Sequence, residues 1–301
     1  MTAQVIDGEA IAREVREELH SRIERLRARG VEPGLVVVLV GDNPGSVSYV
    51  RGKTRDAQGL GMRSETVRLP ATITQTDLLA VVAELNANPG WHGIIVQLPL
   101  PAHIEEPAVT SAVAVEKDVD GLNPANLGRL FRGEPAFLSC TPHGVVQLLL
   151  RSGHDPAGKH VVICGRSNLV GKPLAGLLMQ KARGGNATVT VCHTATPDIA
   201  EHTRRAEILV AVMGRPRAIG ADMVREGAVV IDVGVNRISD ATKKSGGRLV
   251  GDVDFEAVKE KAAAITPVPG GVGPMTRAML LYNTVLAAGG GPVALGTDPA
   301  R

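Results

Sequence analysis

Apolar residues in this chain recur with two periods. Ile11, Val15, Leu19, Ile23 and Leu26 fall at the spacing of one helix face, which Asp7 can cap and Gly30 ends. The pattern then changes. LVVVLVG over 35–41 is unbroken, as in a strand buried on both faces. A DNPG loop leads to a second helix over about 46–58, closed by Gly59 and Gly61. SETVRL suggests the next strand, and Thr74 with Asp77 resembles a capping box opening a helix to about Asn86. GIIVQL over 93–98 is a third buried strand, stopped by PLP. The stretch 103–140 reads as irregular until a helix follows Thr141-Pro142.

From Lys159 a new series begins: HVVICG, helix, ATVTVC, helix, ILVAVMG, helix, AVVIDVG. Strands alternating with helices predict parallel sheets covered on both faces. RLVGDVD, a short helix, the loop TPVPGGVGP and a closing helix over about 275–288 follow, and 289–301 reads as a frayed tail. The fold class is therefore α/β, with two α/β domains. Residues 141–272 form the expected dinucleotide domain of Rossmann type. Residues 1–140 form the other, to which the closing helix returns, so that 273–301 joins it. No solenoid-type repeat is present.

Composition narrows the function classes. The chain has 301 residues, 33 basic and 31 acidic, and a formal charge of +2. That balance, with 2% aromatic residues, gives neither the basic surface nor the stacking platforms of a nucleic-acid binder. No apolar run approaches the roughly 20 residues of a membrane span. The start, MTAQVIDGEA, has no secretory signal pattern. Cys140, Cys164 and Cys192 lie far apart, no CxxC or HExxH occurs, and the histidines lack metal-ligand spacing. Reduced buried thiols and no metal are expected.

Candidate chemistry clusters at the ends of predicted strands. HVVICGRSNLVGKP places Gly165 at a strand end and Gly171 at a helix start, where free N–H groups and the helix dipole suit a phosphate. The spacing is not GxGxxG, and an ordinary strand-to-helix turn is the competing reading. The next strand ends in Cys192-His193-Thr194, without the acid that usually holds an NAD ribose. Arg166 and Thr194 suit a 2′-phosphate, which favours NADP. Ser46, Tyr49, Lys53 and Asp56 share one helix face, at the carboxyl edge of a sheet. A lysine in a cleft can serve as an acid–base group, whereas Arg51, Arg55 and Asp56 fit a solvated face. Gln97 is a polar residue near the end of an apolar strand. In KDVDG, either Asp118 or Asp120 could instead form Asx turns. TPVPGGVGPMT reads as a loop bringing backbone amides close to something flat or anionic.

SVSYVRGK, GIIVQLPLP, KDVDGLNPANLGRL, CTPHG, GRSNLVGKP, VIDVGVNR, GDVDF and ITPVPGGVGPMT together, in this order, resemble the bifunctional methylenetetrahydrofolate dehydrogenase/cyclohydrolase family. The resemblance covers about 5–288. It implies NADP-dependent oxidation of 5,10-methylenetetrahydrofolate, then hydrolysis of the methenyl product to 10-formyltetrahydrofolate. It also implies a cytosolic homodimer with a folate cleft between its domains, serving one-carbon metabolism. By resemblance, Lys53 is the general acid/base, Tyr49 packs against folate, Gln97 positions Lys53, and Asp120 holds the amino-pyrimidine edge of the pterin. Pro269, Gly270, Gly271, Val272 and Gly273 would line the substrate cleft. Gly165, Arg166, Ser167, Thr194 and Val235 would contact NADP. Many members carry serine at Thr194 and isoleucine at Val235. An idle NADP-binding regulator would have no use for Tyr49, Lys53, Gln97 and Asp120 together. A dehydrogenase of the shikimate or amino-acid type would not explain PVPGGVGPMT.

Overall fold

The computed structural model describes residues 2–240, 242 and 246–292; within the expected tail, 293–301 lie outside the described residues. The chain divides into two units, Met1–Arg13 with Thr141–Thr276, and Glu14–Cys140 with Arg277–Arg301. The strands in chain order are β1 (Gln4–Val5), β2 (Gly34–Val40), β3 (Arg63–Leu69), β4 (Gly93–Val96), β5 (His160–Cys164) and β6 (Thr188–Cys192). They continue as β7 (Ile208–Ala211), β8 (Val229–Asp232), β9 (Asn236–Ser239), β10 (Gly247–Val250) and β11 (Ala264–Ile265).

The unit holding Glu14–Cys140 is built on a parallel sheet of order β3-β2-β4. Every residue of β2 is buried, as its unbroken apolar run requires. Val36, Val38 and Val40 pack with Leu78, Val82, Trp91, Ile94 and Val109 in one apolar cluster. The second helix spans Pro44–Gly59, because Asn43 accepts from the Gly45 and Ser46 amides and Pro44 fits the first turn. Thr74 caps Gln75–Ala87 as expected, its hydroxyl accepting from Asp77 N at 3.1 Å. The stretch 103–140 departs from the expected irregularity. It contains helices Glu106–Ala112 and Pro124–Arg132. Asn123 caps the latter, with Pro124 in its first turn and Gly133 left-handed at its end.

Asp118 organises the loop before that helix. It is buried, and its carboxylate accepts from Leu122 N (3.1 Å), Asn123 N (2.8 Å) and Asn126 Nδ2 (2.8 Å). From the closing helix, Asn283 Nδ2 donates to Val119 O (2.8 Å) and Leu138 O (2.9 Å). Within this unit Arg277 Nε also donates to Asp56 Oδ2 at 2.7 Å. Asp56 is thus a half-buried ion-pair partner rather than part of a solvated face.

The other unit carries a parallel sheet of order β1-β11-β8-β7-β5-β6. The strand order reverses at β5, whose neighbours β6 and β7 both follow it in sequence. This is the topological switch point at which dinucleotides bind. The first thirteen residues fall in this unit rather than with 14–140, because Gln4 and Val5 pair with Ala264 and Ile265. Its second boundary lies at Thr276 rather than at 272. Between β7 and β8 stands only a 3-10 turn, Ala221–Met223, where a full helix was expected. β9 and β10 form an antiparallel pair that alternation did not announce. The closing helix starts at Val272, so Val272 and Gly273 are its first residues and only Pro269–Gly271 precede it. Among the described residues no helix is long and apolar enough to cross a membrane. No cluster of His, Cys, Asp and Glu there could hold a metal ion.

Burial pushes the Asp118 carboxyl up from 3.8 to about 7, against the lowering effect of its hydrogen bonds to Asn126, Asn123 and Leu122. A carboxyl with a raised folded value binds its proton more tightly in the native state. Its contribution to stability is therefore full below the unfolded value and declines as pH rises through the folded one. Unfolding in denaturant between about pH 4 and about pH 7 should show stability falling with a slope approaching one proton. Asp118→Asn should flatten that slope and cost about 1–3 kcal/mol, because its amide nitrogen cannot accept. An unchanged slope in the variant would remove Asp118 as the titrating group.

Candidate active site

In the unit of the three-stranded sheet, helical spacing places Tyr49 and Lys53 one turn apart on the helix Pro44–Gly59. Lys53 is only 4% exposed. Its ammonium lies 4.9 Å from the centroid of the Tyr49 ring, a cation–π contact. It also donates to Gln97 Oε1 at 3.1 Å. Gln97 follows β4 directly, and its amide donates to Val38 O at 2.9 Å, so the chain is still in register with β2. Its side-chain Nε2 donates to Leu98 O at 2.7 Å. That bond fixes which end of the amide faces Lys53: the carbonyl oxygen. The structure thus brings Tyr49, Lys53 and Gln97 together at the carboxyl edge of the sheet.

Asp120 and Asp118 separate by environment. Asp118 spends its oxygens on the loop, as described above. Asp120 is half-buried, and its carboxylate lies beside the Cys140 thiol. Burial first, and Asp120 next, push the Cys140 thiol well above its ordinary value, with Lys53 acting in the opposite direction. Cys140 is therefore a neutral thiol, and its Sγ donates to Val119 O at 3.2 Å. Its proximity to Asp120 and Lys53 was not legible in the sequence, where it read only as a spaced cysteine. Asp120, Cys140 and Lys53 carry the ionisable groups of this edge, and of the two candidate acids only Asp120 has a carboxylate not committed to shaping the backbone.

In the six-stranded unit, Gly165 ends β5 at φ +138°, and its amide donates to Cys192 O at 2.8 Å. A Cβ on Gly165 would lie 2.2 Å from Val212 O, so only glycine permits this turn beside the end of β7. A Cβ on Gly171 would likewise lie 2.1 Å from Gly165 O. Ser167 Oγ accepts from Val170 N at 3.1 Å, just before the helix Gly171–Leu178. Arg166, Ser167 and Thr194 are exposed at the carboxyl ends of β5 and β6, and Val235 is 63% exposed after β8. The segment 193–196 at the tip of β6 carries no carboxylate. Two hydroxyls, a guanidinium and a compact glycine turn are a donor set for an anionic dinucleotide. The cysteines beneath are buried free thiols, and burial beside Cys192 pushes the Cys164 thiol up to about 12.

The segment Pro269–Gly273 belongs to this same unit. Gly270 has φ +103°, and Gly271 O approaches Gly8 so closely that a Cβ there would lie 1.8 Å away. Val272 is buried and Pro269 exposed. Sequence reading assigned no role to Asp232 and Asp252, two buried carboxylates in the VIDVGVNR and GDVDF segments. Their signal was an acid closing an apolar strand and an acid preceded by glycine.

Two family models match: the tetrahydrofolate dehydrogenase/cyclohydrolase catalytic domain over residues 6–120, and its NAD(P)-binding domain over 139–290. A bifunctional protein FolD of Dehalococcoides mccartyi is 57% identical over 289 residues, covering 96% of this chain and 97% of the relative. The crystal structure of bifunctional FolD, methylenetetrahydrofolate dehydrogenase/cyclohydrolase, from Campylobacter jejuni superposes with a TM-score of 0.90 at 45% identity, covering 95% and 99% of the two chains. The Trypanosoma brucei enzyme, solved with NADP cofactor and an inhibitor, gives a TM-score of 0.90 at 43% identity, covering 96% and 97%. The chain belongs to the tetrahydrofolate dehydrogenase/cyclohydrolase family.

Proposed function

We propose that Lys53, held by Gln97 and Tyr49, performs the proton transfers of a two-step folate conversion, with Asp120 as the pterin anchor. The chain is a bifunctional enzyme of folate one-carbon metabolism. It oxidises 5,10-methylenetetrahydrofolate to the methenyl form and hydrolyses that to 10-formyltetrahydrofolate. The contact that carries the assignment of Lys53 is its 3.1 Å hydrogen bond to Gln97 Oε1.

NADP is the cofactor, and when bound it supplies the hydride acceptor. The residues present fit it. The Gly165 turn admits a diphosphate close to the backbone, and Arg166 with Thr194 offers a cation and a hydroxyl where an NAD enzyme carries an acid. Loss of hydride from the methylene carbon releases no proton. The protein's task in that step is to hold the donor carbon within about 3–3.5 Å of the acceptor. Tyr49 and the segment Pro269, Gly270, Gly271, Val272 and Gly273 are proposed to supply this positioning.

The second step differs in kind. Water adds to the methenyl carbon and loses a proton; the carbon–nitrogen bond to N5 then breaks as that nitrogen gains a proton and the new hydroxyl gives up its own to become the formyl oxygen, so that one proton is released overall. As the neutral amine Lys53 is proposed to take the first proton, and as the ammonium so formed to give one to N5. Gln97 Oε1 accepts one ammonium proton and so directs the others. Asp120 would hold the amino-pyrimidine edge in both steps, because its carboxylate is not spent on the loop. The family resemblance supports a homodimer, a cytosolic location and a supply of one-carbon units to purine, methionine and histidine synthesis.

Lys53→Met keeps the stem and removes the titratable nitrogen. Cyclohydrolase activity should fall by about 10²–10⁴-fold, while the dehydrogenase keeps much of its rate and the methenyl product accumulates. Absorbance of that product alongside NADPH reads both steps in one assay. Equal loss of both activities with folate binding intact would assign Lys53 to hydride transfer as well; a surviving cyclohydrolase would end its assignment.

Asp120→Ala should raise the KM for folate in both reactions together, with a loss of about 1.5–3 kcal/mol, as for a hydrogen bond to a charged group. Wild-type folate affinity in this variant would move the anchor elsewhere.

Arg166→Ala should raise the KM for NADP+ by roughly 10-fold or more, as expected for a charge-assisted contact worth about 1.5–3 kcal/mol. Its effect on NAD+ use should be small. Equal losses with both cofactors would count against a 2′-phosphate contact.

A further inference from the structure

Two buried carboxylates with no part in the chemistry above stand behind the carboxyl ends of β7 and β8. Asp252 is 0% exposed. Its Oδ2 accepts from the amides of Met213 and Gly214, the latter at 2.9 Å. Its Oδ1 accepts from Arg215 N at 2.9 Å and Asn236 Nδ2 at 2.8 Å. A carboxylate has about four acceptor sites and no donor, so all four are filled. Three successive amides converging on one anion form a nest, and here the anion is part of the protein.

Asp232 backs this arrangement. It closes β8, and its oxygens accept from Gly234 N, Asp252 N and Val253 N, each at 2.9 Å. The two acids interlock through glycines. A Cβ on Gly234 would lie 2.3 Å from Asp252 Oδ1, and one on Gly251 would lie 1.7 Å from Asp232 Oδ2. The D-x-G of 232–234 and the G-D of 251–252 are therefore one steric unit.

The loop that Asp252 holds packs on the cofactor turn. Val212 N donates to Cys164 O at 2.9 Å, and Val212 O lies where a Cβ of Gly165 would point. Beyond Val212, Gly214 and Arg215 are exposed. In the strand order β8-β7-β5-β6 the tip of β6 lies on one side of the Gly165 turn, and the loops after β7 and β8 lie on the other. A dinucleotide spanning the switch point with its adenosine half at β6 places its nicotinamide half over those loops.

We infer that Asp252 is a positioning residue for the nicotinamide half of NADP: it fixes the 213–215 backbone and, through Asn236, the segment that carries Val235. The inference rests on the NADP assignment. An asparagine at 252 would turn an NH₂ group toward backbone N–H donors, so part of the nest would open without any change in side-chain volume.

The test is Asp252→Asn, read by equilibrium titration with NADP+ and separately with adenosine 2′,5′-bisphosphate, which lacks the nicotinamide half. Cyclohydrolase activity on preformed methenyltetrahydrofolate is measured in the same preparation. The expected result is a fall in NADP+ affinity of about 10-fold or more, consistent with losing hydrogen bonds to a charged group. Affinity for the bisphosphate and cyclohydrolase activity should stay within about two-fold, as remote sites do. Unchanged NADP+ affinity, or an equal fall for both ligands, would overturn the inference. If Asp252→Asn does not fold, Asn236→Ala removes a single donor from the same carboxylate. It should weaken NADP+ about three-fold, in line with one hydrogen bond, and leave the bisphosphate unaffected; no change for NADP+ would again overturn the inference. A wild-type protein that bound neither ligand would overturn the cofactor assignment itself, and this inference with it.

Discussion

Irregular backbone at a sheet edge leaves N–H groups that helices and ladders do not use, and each must find an acceptor once buried. In this protein aspartates supply them. Asp118 collects two loop amides and an asparagine side chain in one unit. Asp232 and Asp252 collect six amides in the other, among them that of Asp252 itself. The loop before the helix at 124–132 and the loops after β7 and β8 are each gathered on such a carboxylate. The loops can be fixed without regular structure because an acceptor-only group meets a donor-only surface.

Division of labour between neighbouring residues of one type follows. Asp118 and Asp120 are two positions apart, yet one is consumed by its own backbone and the other stands half-buried beside Cys140. The same holds for Gln97, whose nitrogen is tied to Leu98 O so that its oxygen is presented to Lys53. The Lys53 ammonium is thus held by a neutral amide and an aromatic face rather than by a carboxylate.

What the sequence disclosed follows the range of the forces involved. β2, the capped helices at 44–59 and 75–87, and the strands from β5 to β8 were legible because periodicity and capping are local. Tyr49 with Lys53 was legible from helical spacing, and Gln97 from being polar at the end of an apolar run. The helices at 106–112 and 124–132 were not, since they are too short to show a period and depend on Asn123, Pro124 and buried asparagines. The two residues of β1 carry no pattern, and only their pairing with β11 assigns the first thirteen residues to their unit. Asp232 and Asp252 stayed silent because their partners lie up to 39 residues away in sequence. The choice between Asp118 and Asp120 needed burial, which spacing cannot give.

The interlock of Gly234 with Asp252 and of Gly251 with Asp232 bears on how such a chain can vary over time. Enlarging either glycine strikes a carboxylate that already accepts three or four hydrogen bonds, and shortening either acid strands several amides at once. A change at any of the four therefore disturbs its partner across the interlock, whereas Leu249 on the hairpin is exposed and stands outside it. Residues 232–234 and 251–252 thus couple across the β9–β10 pair, so the effects of changes on its two sides are not independent of each other.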